Sequence, residues 1–134
     1  MAKKKRTFSE TTTTVMVEHE NTEGEEEHDG ASLRATLEDV VFCSGVIGYI
    51  LKDSTSATID LPDPEKTVEY AMLASQMFDS AEELSELCSL GNIEYTLIEC
   101  SDLKVLCATF GEFTVSIFME KNVDHSEIFS KISS

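Results

Sequence analysis

An α+β fold, a five-stranded antiparallel sheet with helices on both faces, follows from three features of the sequence. Residues 92–120 alternate in three short runs separated by turn residues. A nearly unbroken apolar run, Val46–Leu51, precedes a shorter one. A long helical pattern, opened by Asp63-Pro64-Glu65, lies between these two groups. The predicted order is helix, strand, strand, helix, three strands, helix, which is a layered α+β arrangement.

Residues 1–30 read as a disordered, acidic tail, and residues 31–134 as the folded domain. The tail holds Lys3–Arg6, a Thr11–Thr14 tract and an acidic run from Glu18 to Asp29. Its one apolar cluster, Val15–Val17, is too small to offset the entropy of ordering. Order is expected to begin near Ala31. Ser32 can cap a helix that carries Leu33, Leu37, Val40 and Val41 on one face. Val46–Lys52 is almost wholly apolar, as a strand covered on both faces would be. Asp53-Ser54-Thr55-Ser56 is a polar turn, and Ala57–Leu61 is a short strand cut off by Pro62 and Pro64.

Asp63, Pro64 and Glu65 supply a cap, a proline for the first position and an acid near the positive helix end. The helix is predicted to reach Cys88 or Ser89. Val68, Ala71, Met72, Ser75, Phe78, Ala81 and Cys88 form one broad stripe, and Met77, Leu84 and Leu87 widen it. Gly91 is the expected C-terminal cap. The meander then reads as Asn92–Cys100, Leu103–Thr109 and Phe113–Glu120. Ile93, Tyr95 and Leu97 alternate with Glu94 and Thr96, and Phe113, Val115, Ile117 and Met119 with Thr114 and Ser116. Ser101-Asp102 and Gly111-Glu112 make the turns. Asp124 caps a last helix through Ile128, Phe129 and Ile132.

Composition narrows the functional classes. The formal net charge is −16. Such a chain repels nucleic acid and attracts basic protein surfaces. No apolar run approaches the roughly 18 residues needed to cross a bilayer. The basic N-terminus lacks the apolar stretch of a secretory signal, so a cytoplasmic location is expected. Cys43, Cys88, Cys100 and Cys107 form no CxxC pair and read as free thiols. There is no nucleophile elbow, phosphate loop or HExxH motif. The chain is therefore expected to be no enzyme and to hold no cofactor or metal. What it offers is a surface. Small and apolar residues on the central helix, Ala71, Ala74 and Phe78 among them, permit close approach of another helix. The strand from Asn92 to Cys100 is a candidate free edge, with Ile93, Tyr95, Leu97 and Ile98 as its apolar material.

Gly45-Val46-Ile47-Gly48, leading into Tyr49-Ile50-Leu51, resembles the GV-x-G start of the first strand in the Roadblock/LC7 family. Ile98–Leu106 is similar to that family's third hairpin. Thr109–Phe118 with Lys121–Asp124 is similar to its closing strand and helix entry. The resemblance implies a non-catalytic dimerisation or scaffold module that pairs edge to edge through its third strand, with central helices side by side. The partner would be a second copy or a paralogous Roadblock protein. It also implies a role with a small Ras-like GTPase, which Glu69, Asp79, Glu82, Glu83 and Glu86 of the central helix would meet. The competing expectations are a small-ligand sensor of PAS or GAF type, which needs a polar-lined cavity between sheet and helix, and a monomeric longin-like adaptor.

Overall fold

Leu33, Leu37 and Val40 fall one turn apart, and that spacing folds Gly30–Val41 into helix α1, with all three side chains buried. The structure, a computed structural model, describes residues 12–17 as backbone, and residues 30–89, 91 and 93–133. The Lys3–Arg6 cluster and the acidic run Glu18–Asp29 lie outside the described residues.

After α1 come β2 (Val46–Lys52) and β3 (Ala57–Asp60). Their turn has no glycine. Asp53 closes it instead, its carboxylate accepting from the Thr55 and Ser56 amides at 2.9 and 2.8 Å. A single 3-10 turn, Pro64–Lys66, is capped by Asp63 and leads into α2 (Thr67–Cys88). Strands β4 (Ile93–Glu99), β5 (Leu103–Phe110) and β6 (Phe113–Glu120) follow. Helix α3 (His125–Ser133) ends the described fold, its first turn capped by Asp124 through the Ser126 amide at 3.0 Å.

All five predicted strands are present, antiparallel, with helices on both sheet faces. A sixth joins them. Thr12–Val17, expected in a disordered tail, forms strand β1 and pairs antiparallel with β4. The sheet order is β1-β4-β5-β6-β2-β3. Two corrections follow. Five of the six residues in Thr12–Val17 are β-branched, a composition that suits a strand once a partner edge is present. The edge expected to be free at β4 is consequently occupied by the chain itself.

Alternation divides the core in two. On one face Tyr49, Leu51, Leu97, Leu106, Val115, Ile117 and Met119 pack with Leu37 of α1 and Ile128 and Ile132 of α3. On the other, Ile50, Val105, Cys107 and Phe118 pack with Ala74 and Met77 of α2. Tyr70 of α2 stacks on Phe118 with ring centroids 4.6 Å apart. The GV-x-G motif has a steric reason. Gly45 has φ +88°, and a β-carbon there would strike Val123. Gly48 sits at the register break of β2 on β6, and a β-carbon there would strike the Asp60 carbonyl of β3. The left-handed residue at the end of α2 is Ser89, with φ 53°, and Gly91 follows two residues later with φ 89°. The expected cap position therefore lies two residues earlier than the glycine suggests.

Candidate interaction surface

The residues proposed from sequence as one interface are divided by the fold. Period-two alternation along β4 sends Tyr95 and Leu97 to the face shared with α1 and α3, where they are 9% and 2% exposed. Tyr95 packs on Phe129 with ring centroids 4.8 Å apart. Both are core residues of the single chain. Ile93 and Ile98 stay half-buried. On α2, Ala74 is buried in the second core cluster, with Ala71 and Phe78 packed against it. A charged side chain at Ala74 would therefore disrupt the core before it reached any partner.

The structure brings Ile98 to a different flank of α2. Leu73, Gln76, Met77, Ser80 and Leu84 line a cleft of about 150 Å³ with Thr96 and Ile98 of β4. Four of the large exposed apolar residues lie on α2: Val68, Met72, Leu84 and Leu87, at 65%, 61%, 45% and 77% exposure. Val68, Met72, Gln76, Ser80 and Leu84 are spaced four apart and form one ridge. The ridge carries no charge, although α2 holds five acids and no basic residue between Thr67 and Cys88. Sequence reading placed Val68 and Met72 on one broad stripe with Ala71, Phe78 and Ala81, which the structure shows at least partly buried. The signal that distinguishes them is the spacing of four without a charge, in a helix whose solvent side is otherwise acidic.

Glu69, Asp79, Glu82, Glu83 and Glu86 are all exposed. They do not act as one set. Glu82 and Glu86 line a second cleft, of about 480 Å³, with Phe78, Ala81, Ser85 and the ends of β4 and β5. Its volume would admit a small molecule. Within it the Ser85 hydroxyl donates to the Gly91 carbonyl.

On the opposite sheet face, Lys104 of β5 is only 6% exposed. Its ammonium donates to Nδ1 of His125, 3.4 Å away at the start of α3. Burial and the Lys104 charge hold the His125 pKa below its ordinary value, against the opposing pull of Asp124 and Glu99. Lys104 also stands opposite Glu99 in the ladder. Cys107 is buried, and desolvation raises its thiol pKa to about 11, although it accepts a hydrogen bond from Ser116 at 3.6 Å. Cys43 and Cys100 are half-buried and Cys88 is exposed, all as free thiols. Among the described residues no cluster of His, Cys, Asp and Glu is placed to hold a metal ion, and no helix is long and apolar enough to cross a membrane.

Comparison with protein-family models gives no match. No curated protein matches either. Among solved structures, the chain is similar to a Roadblock/LC7 domain from Streptomyces avermitilis. The two share 12% sequence identity at a TM-score of 0.63, over 81% of this chain and 90% of that one. At such low identity the likeness resides in the arrangement of strands and helices. This chain has the Roadblock/LC7 fold.

Proposed function

We propose that the chain is a non-catalytic scaffold module that pairs with a second copy, or with a paralogue of the same fold, through the α2 ridge and the neighbouring β4 edge. The observation that carries this reading is the uncharged ridge Val68-Met72-Gln76-Ser80-Leu84, three of whose five side chains are large, apolar and exposed. The ridge spans about 24 Å of helix. Large apolar side chains left exposed along one helix mark an interaction surface more often than singly scattered ones do. The uncharged side chains at Gln76 and Ser80 let a second helix approach without facing a like charge. The Roadblock/LC7 fold is consistent with such a role.

The reading extends to a small Ras-like GTPase, placed within the cytoplasm. Its support is the family resemblance and the row of exposed acids on α2, which suits a basic surface on a protein partner. Calorimetry with GTP or GDP is expected to give no heat with this chain alone. At least one small GTPase from the same cell is expected to co-elute with it.

Sedimentation of the wild-type chain and of Leu84→Glu tests the pairing. Leu84 is exposed, so the substitution leaves the melting temperature within about 1–2 °C. The wild type is expected to self-associate reversibly below about 500 µM, and the variant to associate at least 10-fold more weakly. A wild type that stays monomeric, or a variant that associates equally well, overturns the reading.

A further inference from the structure

The chain covers the β4 edge with very little of itself. β1 lies antiparallel along it, from Thr12 opposite Glu99 to Val17 opposite Ile93, and the register breaks between Met16 and Val17. Among the described residues, β4 is the one element that β1 pairs with extensively. β1 is thus an edge strand held by a single ladder, and segments with few contacts open locally before the rest of a fold does. Twelve residues, 18–29, separate β1 from α1. Val17 sits at the end of the sheet where β5 turns into β6, and Gly30 lies against the Phe113 ring at that same end. Three strand spacings and one layer amount to roughly 20 Å. Twelve residues reach about 40 Å. β1 can leave the edge without drawing α1 with it.

An uncovered β4 complements itself. Set antiparallel to a second β4 about Thr96, Tyr95 meets Leu97 of the other copy, Glu94 meets Ile98, and Ile93 meets Glu99. No two acids stand opposite each other, and each sheet face continues across the join, as an isologous contact requires. We propose that β1 is an internal guard on this edge, and that a second copy of the chain takes the edge, strand against strand, when β1 leaves it. The proposal rests on the self-association reading above and adds what limits it. Both copies must be open at once, so the apparent dissociation constant varies inversely with the square of the open fraction. A guard docked nine-tenths of the time weakens pairing about 100-fold.

The test uses the full chain with Thr14→Pro and Val15→Pro together. N–H groups alternate sides along a strand, so one of these two adjacent prolines removes a donor to β4. The double variant is expected to dimerise at least 10-fold more tightly than the wild type. Excess free peptide of residues 11–18 is expected to return it to monomer. Equal dissociation constants overturn the guard and leave self-association standing. Failure of the wild-type chain to associate below about 500 µM removes the self-association reading, and the guard with it. Amide exchange on the wild type gives an independent check that needs no variant. Thr12–Val17 is expected to exchange at least 100-fold faster than Val115–Met119, and equal protection of the two strands overturns the proposal.

Discussion

Lys104 and His125 form the least ordinary polar contact in the core, a buried cation held by a neutral imidazole. Its charge state sets a pH dependence. The folded-state pKa of His125 is depressed, so the unfolded chain binds the proton more readily. The resulting stability is present above the unfolded value of about 6.5 and is lost as pH falls through the folded value. Thermal melts from about pH 7.5 down to pH 5.5 are expected to show a steeper loss of melting temperature for the wild type than for His125→Gln, which takes up no such proton. Parallel curves would contradict this. An NMR titration of Lys104→Met is expected to move the His125 pKa upward, because the neighbouring positive charge is gone. None of this pairing was legible in the sequence, where Lys104 stands in a strand 21 residues before His125. Only the sheet register and the α3 entry bring the two together.

At the scale of elements, the strongly patterned segments were legible and the marginal ones were not. The meander, the central helix and the capping roles of Asp63 and Asp124 all follow from periodicity and side-chain chemistry. Thr12–Val17 did not, because a short β-branched run flanked by acids has no periodicity of its own and becomes a strand only through the β4 edge. The residues read as one interface fall on different sides of the fold for a related reason. A helical stripe shows which residues share a side, but which flank of α2 borders β4 depends on how the helix crosses the sheet. Gly48 gives an element-scale prediction. Its missing side chain lets β2 and β3 approach at the Asp60 carbonyl, so Gly48→Ala must push the two strands apart. A loss of about 2–3 kcal/mol in urea unfolding is expected, whereas Gly111→Ala, with open space around it, is expected to lose less. Equal losses would mean that the close approach contributes nothing.

Across the whole molecule, a net charge of −16 makes two kinds of association respond oppositely to salt. Two copies repel one another, and added salt screens that repulsion. Self-association is therefore expected to tighten several-fold between about 50 and 500 mM salt, while binding to a basic protein partner weakens over the same range. Sedimentation at the two salt concentrations separates them, and self-association that weakens with salt would point to an interface built on opposite charges. The position of β2 carries a consequence of another kind. It pairs with β6, so that Lys52 lies beside Thr114 and Val46 beside Met119, 62 and 73 residues further along. The middle of the sheet closes only by joining distant parts of the chain, whereas β4, β5 and β6 need only short turns. Refolding should then proceed from the meander outward, with the β2–β3 hairpin docking late and setting a rate of milliseconds to seconds. Until it docks, β6 is itself an open edge, and that interval is when the chain is most exposed to pairing with the wrong strand.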